Sequence, residues 1–135
     1  MKKILILCLL FTGIINAKEI ETIKVKDNLY MVGDRTYSLF YITDKSVVVI
    51  DPLDEKHAKA TLAAIKKVTD LPITHLFYSH NHWDHISGGQ LFKDEGATII
   101  SHREAKETIA PNPKVLMPDK IWKGDAKTYR IDGKT

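Results

Sequence analysis

The sequence predicts an α/β domain: a mixed sheet with flanking helices. Three observations carry that prediction. Between Ile20 and Ile50, short β-branched and aromatic runs alternate with turn residues. After Asp51-Pro52 the apolar spacing becomes that of a helix. Beyond Leu71-Pro72 it reverts, so Ser46–Ser79 reads as strand, helix, strand, a unit that implies a parallel pair with a right-handed crossover.

Ile20, Ile23 and Val25 open the first strand, and Leu29–Val32 forms the next, ending at Gly33-Asp34. Tyr37–Ile42 follows, and Thr43-Asp44-Lys45 turns the chain into Ser46–Ile50. Val47-Val48-Val49-Ile50 is continuously apolar, as a strand covered on both faces should be. Ala58, Leu62, Ile65 and Val68 make one apolar stripe on a helix, with Asp54 as its N-cap and Leu71-Pro72 beyond its end. Ile73–Ser79 is the next strand, Gly89–Lys93 a short helix and Ala97–Ser101 another strand. Ser101 and Glu104 have capping-box spacing for a helix that runs to about Ile109, before Pro111 and Pro113. Lys127–Ile131 is expected to be a last strand, entering the turn Asp132-Gly133.

Residues 1–17 have the parts of a secretory signal: Lys2-Lys3, an apolar run from Ile4 to Ile15, and Ala17 before a polar chain. The run is short for a membrane span, and no second segment approaches that length. Cleavage is expected after Ala17, leaving residues 18–135 as one exported domain, periplasmic or secreted. The net charge of +3 includes Lys2 and Lys3, and no basic stripe exists to track phosphates, so nucleic acid is not an expected partner. The single cysteine, Cys8, lies in the leader. The mature chain therefore offers neither an internal disulfide nor a thiolate ligand.

Chemistry concentrates in Ser79-His80-Asn81-His82-Trp83-Asp84-His85, directly after a predicted strand. Imidazole is largely neutral at pH 7 and has a lone pair to give, while carboxylate is ionised. Three imidazoles and a carboxylate this close suit zinc, with iron or manganese admitted by the carboxylate. His80 and His82 can aim at one point, Asp84 and His85 at a second, and two adjacent cations could share a bridging hydroxide for hydrolysis. A polar loop with histidines by chance is the plain alternative. At this chain's residue frequencies it arises about once in a thousand such sequences.

The motif His80-x-His82-x-Asp84-His85, placed before Ser87-Gly88-Gly89, resembles the metal motif of the metallo-β-lactamase-fold hydrolases. The resemblance extends to Val47–Asp51, a buried strand ending in aspartate, and to the intervening helix. It thus spans roughly Leu29 to Ser101. It implies a four-layer αββα sandwich, of which this chain corresponds to the N-terminal half and is truncated at its C-terminus. It also implies His80 and His82 on a first zinc and Asp84 and His85 on a second, with Asp84 orienting or deprotonating the attacking water. The implied activity is hydrolysis of a small ester, thioester, amide or lactam through a metal-activated water. Two alternatives stand beside it: an inactive metal-binding remnant, and a half-site chain completed by a partner such as a second copy.

Other residues carry weaker signals. Asp51 reads equally as a carboxylate that orients a ligand imidazole and as a turn-forming Asp-Pro. Trp83 reads equally as a wall of the site and as simple packing. Gly88-Gly89 suggests a close backbone approach at the metal loop. His75 is expected to be a hydrogen-bonded core residue, His57 a solvent-exposed helix residue and His102 a capping or surface residue; Tyr78 and Ser79 are expected to be structural. No Ser/His/Asp triad and no phosphate-cradling glycine loop is present.

Overall fold

The chain from Glu21 to Ile50 runs as four strands, each antiparallel to the last: β1 (Glu21–Lys26), β2 (Leu29–Gly33), β3 (Tyr37–Ile42) and β4 (Val47–Ile50). This is a computed structural model, and it describes residues 18–135. Tight turns suffice for this part because antiparallel neighbours need only a few connecting residues. Thr43 shows how one is built: its hydroxyl accepts from the Lys45 and Ser46 backbone N–H groups.

From β4 onward the connections contain helices, and the pairing becomes parallel. The elements are α1 (Glu55–Val68), β5 (Ile73–Phe77), α2 (Trp83–Ile86), α3 (Gly89–Asp94), β6 (Thr98–His102), α4 (Arg103–Thr108) and β7 (Lys120–Trp122). The seven strands form one sheet in sequence order, with β4 through β7 parallel. Mixed sheet and flanking helices are as expected. Among the described residues no helix is long and apolar enough to cross a membrane. The leader expected over residues 1–17 lies outside the described residues.

Helix α1 forms where its stripe and caps agree. The Asp54 carboxylate accepts from the His57 N–H, Glu55 lies in the first turn, and Lys66 and Lys67 in the last, each complementing the helix dipole. Its buried face, Ala58, Thr61, Ala64 and Ile65, packs on the sheet. Val32, Phe40, Val49 and Leu76 supply the sheet side of the core, and Phe92 brings in α3 with no exposed surface.

Five expectations need correction. Val47–Ile50 alternates buried and half-buried instead of being covered on both sides, because among the described residues α1 lies over only the Val47 and Val49 face. The Lys127–Ile131 strand is absent; only an Ile131–Lys134 bridge closes the Asp132-Gly133 turn. That turn is docked, since Asp132 accepts from Thr43 Oγ1 (2.7 Å) and Ser46 Oγ (2.5 Å). The last strand is β7, only three residues long and without alternation to announce it. The α4 cap is His102, not Ser101, because β6 stays paired with β7 through His102↔Trp122. His57 is largely covered: its Nδ1 lies 2.8 Å from Asp54 and its Nε2 3.4 Å from Asp34. His75 is half-buried on the helix-free sheet face, with Nδ1 2.8 Å from Thr74 Oγ1.

Two measurements check this packing. Phe92→Ala should destabilise the domain by about 3–5 kcal/mol in urea unfolding, the range for emptying a buried aromatic site. Asp119 accepts from Lys93 Nζ at 2.6 and 2.7 Å and from the Ile99 N–H at 2.8 Å. The Lys93 hydrogen bond, then that of Ile99, holds its carboxyl below the usual carboxylate range. Its stabilisation is therefore complete above the unfolded-chain value of about 4 and disappears as pH falls through the lower folded value. The stability gap between wild type and Asp119→Asn should be open at pH 7 and close in acid.

Candidate metal centre

Parallel strands bring their C-terminal ends to one edge of the sheet, where open α/β sheets present their ligand sites. Asp51 follows β4 and Ser79-His80 follows β5 at that edge, while His102 ends β6 beside them. The chain from His82 to Ile86 then tightens into α2, a single turn that the sequence had read as loop. His82 caps this turn with its backbone carbonyl, which accepts from the His85 N–H at 3.0 Å.

Asp51 is buried, 7% exposed, and adopts a left-handed backbone with φ of 52°. Leu53, 2% exposed, does the same at 57°. A left-handed leucine is unfavourable and persists only where the surroundings over-determine it. Here they do. Leu53 N–H donates to the His85 carbonyl, and its own carbonyl accepts from Gly88 N–H. Gly88 has no room for a side chain: a Cβ there would lie 2.7 Å from Ala58 Cβ and 2.8 Å from the Asp54 carbonyl. The close approach expected at Gly88 is thus real, and it is made against the start of α1.

The polar wiring follows from one carboxylate. Asp51 accepts from Ser79 N–H at 2.7 Å, from Ser79 Oγ–H at 2.5 Å and from His85 Nδ1 at 3.1 Å. Because the Ser79 hydroxyl proton goes to Asp51, its oxygen accepts from His80 Nδ1 at 2.8 Å. Both rings therefore carry a hydrogen on Nδ1, which leaves Nε2 as the nitrogen that a neutral ring would offer to a metal. Their centroids lie 4.2 Å apart, and the His82 ring stands 4.8 Å from that of His80.

Donor atoms of Asp51, His80 and His85 all lie within 4.8 Å of one another. Two neutral imidazoles and a carboxylate so placed fit a divalent cation of the zinc type. Asp51 already accepts three hydrogen bonds, which is the bonding of a carboxylate that orients an imidazole. His82 and Asp84 are exposed and lie outside this tight group, Asp84 in the first turn of α2. His102 lies outside it too. Trp83 is 63% exposed and is not core packing; it borders a groove of about 690 Å3 together with Ser87, Gly88 and Lys114. Ser79, expected to be structural, links Asp51 to His80 through its hydroxyl, a connection that the sequence did not reveal. Its only signal was adjacency to His80.

The family model for the metallo-beta-lactamase superfamily matches residues 31–132. The metallo-beta-lactamase IND-1 of Chryseobacterium indologenes is 27% identical over 119 residues, covering 81% of this chain and 49% of that protein. Hydroxyacylglutathione hydrolase of Dictyostelium discoideum is 32% identical over 65 residues, covering 47% of this chain and 24% of that protein. A metallo-beta-lactamase from Pontibacter korlensis shares the fold with a TM-score of 0.72 at 20% identity, over 85% of this chain and 57% of that one. The chain spans at most about half the length of these curated relatives.

Asp51→Ala should destabilise the metal-free protein by about 1–3 kcal/mol in thermal unfolding, since it leaves Ser79 N–H and His85 Nδ1 without their acceptor.

Proposed function

The chain belongs to the metallo-β-lactamase superfamily, and from that premise we propose that it is a metal-dependent hydrolase. Its substrate is a small ester, thioester, amide or lactam. His80 and His82 hold a first divalent cation and Asp84 and His85 a second, with zinc the first choice. We further assign residues 18–135 to one catalytic unit, exported by the leader over residues 1–17. The observation that supports the hydrolase reading is the chain of hydrogen bonds from His80 through Ser79 and Asp51 to His85, which occupies both Nδ1 atoms and so leaves Nε2 of each ring as the nitrogen free for a cation.

A bound divalent cation supplies Lewis acidity toward a carbonyl oxygen and makes water acidic near neutral pH. The protein's own groups do the rest. Asp51 keeps the proton of His85 on Nδ1, and Ser79 does the same for His80, so neither ring must choose a tautomer as the site loads. Asp84, exposed at the start of α2, has a carboxylate available to accept the proton of the attacking water.

Metal analysis of the purified chain, with a panel of ester, thioester, amide and lactam substrates, tests the proposal. Expected are bound zinc and a turnover abolished by chelator and by His82→Ala. Weak, exchangeable zinc with no turnover would replace it with a non-catalytic metal-binding role. Ser79→Ala should weaken metal affinity by about tenfold or more, the usual effect of losing a group that orients a ligand.

A further inference from the structure

His102 ends β6 next to the metal loop, and the sequence left it as a cap or a surface residue. It does cap α4: its Nδ1 accepts from the Glu104 N–H at 3.3 Å. That bond requires a lone pair on Nδ1, so the ring hydrogen sits on Nε2. The Glu104 carboxylate lies 4.0 Å from Nδ1, and a protonated ring would still carry the Nε2 hydrogen. Among the described residues Nε2–H has no hydrogen-bond partner. The ring is steadied from the side by Trp122, edge to face at 5.6 Å.

The surface beside this ring is shallowly indented. A groove of about 350 Å3 runs between the metal loop and α4, lined by His80, Asn81, His102, Ala105 and Thr108 among others. Its two walls are tied together, since Asn81 Nδ2 donates to the Thr108 carbonyl at 3.0 Å. His102 holds the other end of α4. A second groove, of about 420 Å3, is also lined by His102, together with Trp122 and Gly124. His102, with an Nε2–H that has no hydrogen-bond partner among the described residues, thus lines a groove that His80 also lines.

Resting on the hydrolase reading above, we propose that this groove seats the acyl portion of the substrate and that His102 positions it. The Nε2–H donates to an acyl oxygen, carbonyl in the substrate and carboxylate in the product. His102 is a positioning residue in this scheme: it orients the acyl group toward the His80 side and moves no proton.

Propionate serves as the probe, titrated into the full chain carrying Trp83→Phe and followed by Trp122 fluorescence, with zinc and again with chelator. Two substitutions separate capping from binding. His102→Asn keeps a strong N-cap but is too short to place a donor where Nε2 stands. His102→Gln places an amide N–H near that point. Saturable binding that weakens about tenfold in His102→Asn, and within about threefold of the parent in His102→Gln, supports the assignment. So does a shift of the His102 Nε2–H resonance on adding propionate. No saturable binding overturns it, as does affinity that follows zinc but is equal in the parent and His102→Asn. The two proposals fail separately. A chain that holds zinc and turns over, with KM unmoved in His102→Asn, loses only the role of His102. A chain that binds no metal yet binds propionate through His102 loses only the hydrolase reading.

Discussion

One buried carboxylate holds three separate stretches of this chain in register. Asp51 lies just past β4, accepts from both the backbone and hydroxyl of Ser79 past β5, and takes the Nδ1 hydrogen of His85 in α2. A carboxylate that is 7% exposed is costly to bury unless several donors surround it. The three donors meet that cost, and each comes from a segment carrying an imidazole of the candidate site. Burial and ligand orientation are therefore one event: the group whose desolvation needs donors recruits the rings that face the site.

The backbone around Asp51 shows how firmly the arrangement is specified. Two left-handed non-glycine residues within three positions, Asp51 and Leu53, are unfavourable locally. They are held by the Leu53–His85 and Gly88–Leu53 hydrogen bonds and by the contact that only a glycine permits at position 88. Strain thus sits where β4 hands over to α1, and the packing of that connection against the histidine loop sustains it. The parallel half of the sheet makes this possible, because only parallel neighbours bring successive C-terminal ends to the same edge.

Much of this was legible in the sequence, and the failures have physical causes. Strands β2 and β3, helix α1 and its Asp54 cap followed from alternation, period and capping chemistry, all local signals. The histidine cluster was legible because imidazoles are rare and were dense. β7 was not, since three residues hold their place only through the pairing with β6 that they find after folding. Lys127–Ile131 misled for the opposite reason: its turn signal was sound, but the turn is fastened by Asp132 to Thr43 and Ser46, nearly ninety positions earlier. Ser79 and the coverage of His57 depend likewise on partners far along the chain, and no local pattern announces them.

The loop is unequally organised, and this bears on how it would take up metal. His80 and His85 are wired to Ser79 and Asp51, so their tautomers and ring positions exist before any cation arrives. His82 and Asp84 are exposed, and among the described residues no hydrogen bond fixes either side chain. Ordering a free side chain costs up to about 2 kcal/mol, which must come out of the binding free energy. Ligation by the inner pair is accordingly the step that the fold has prepared, and ligation by the outer pair the step that it has left to the cation. A site of this kind should load through His80 and His85 first, whichever second donor completes each shell.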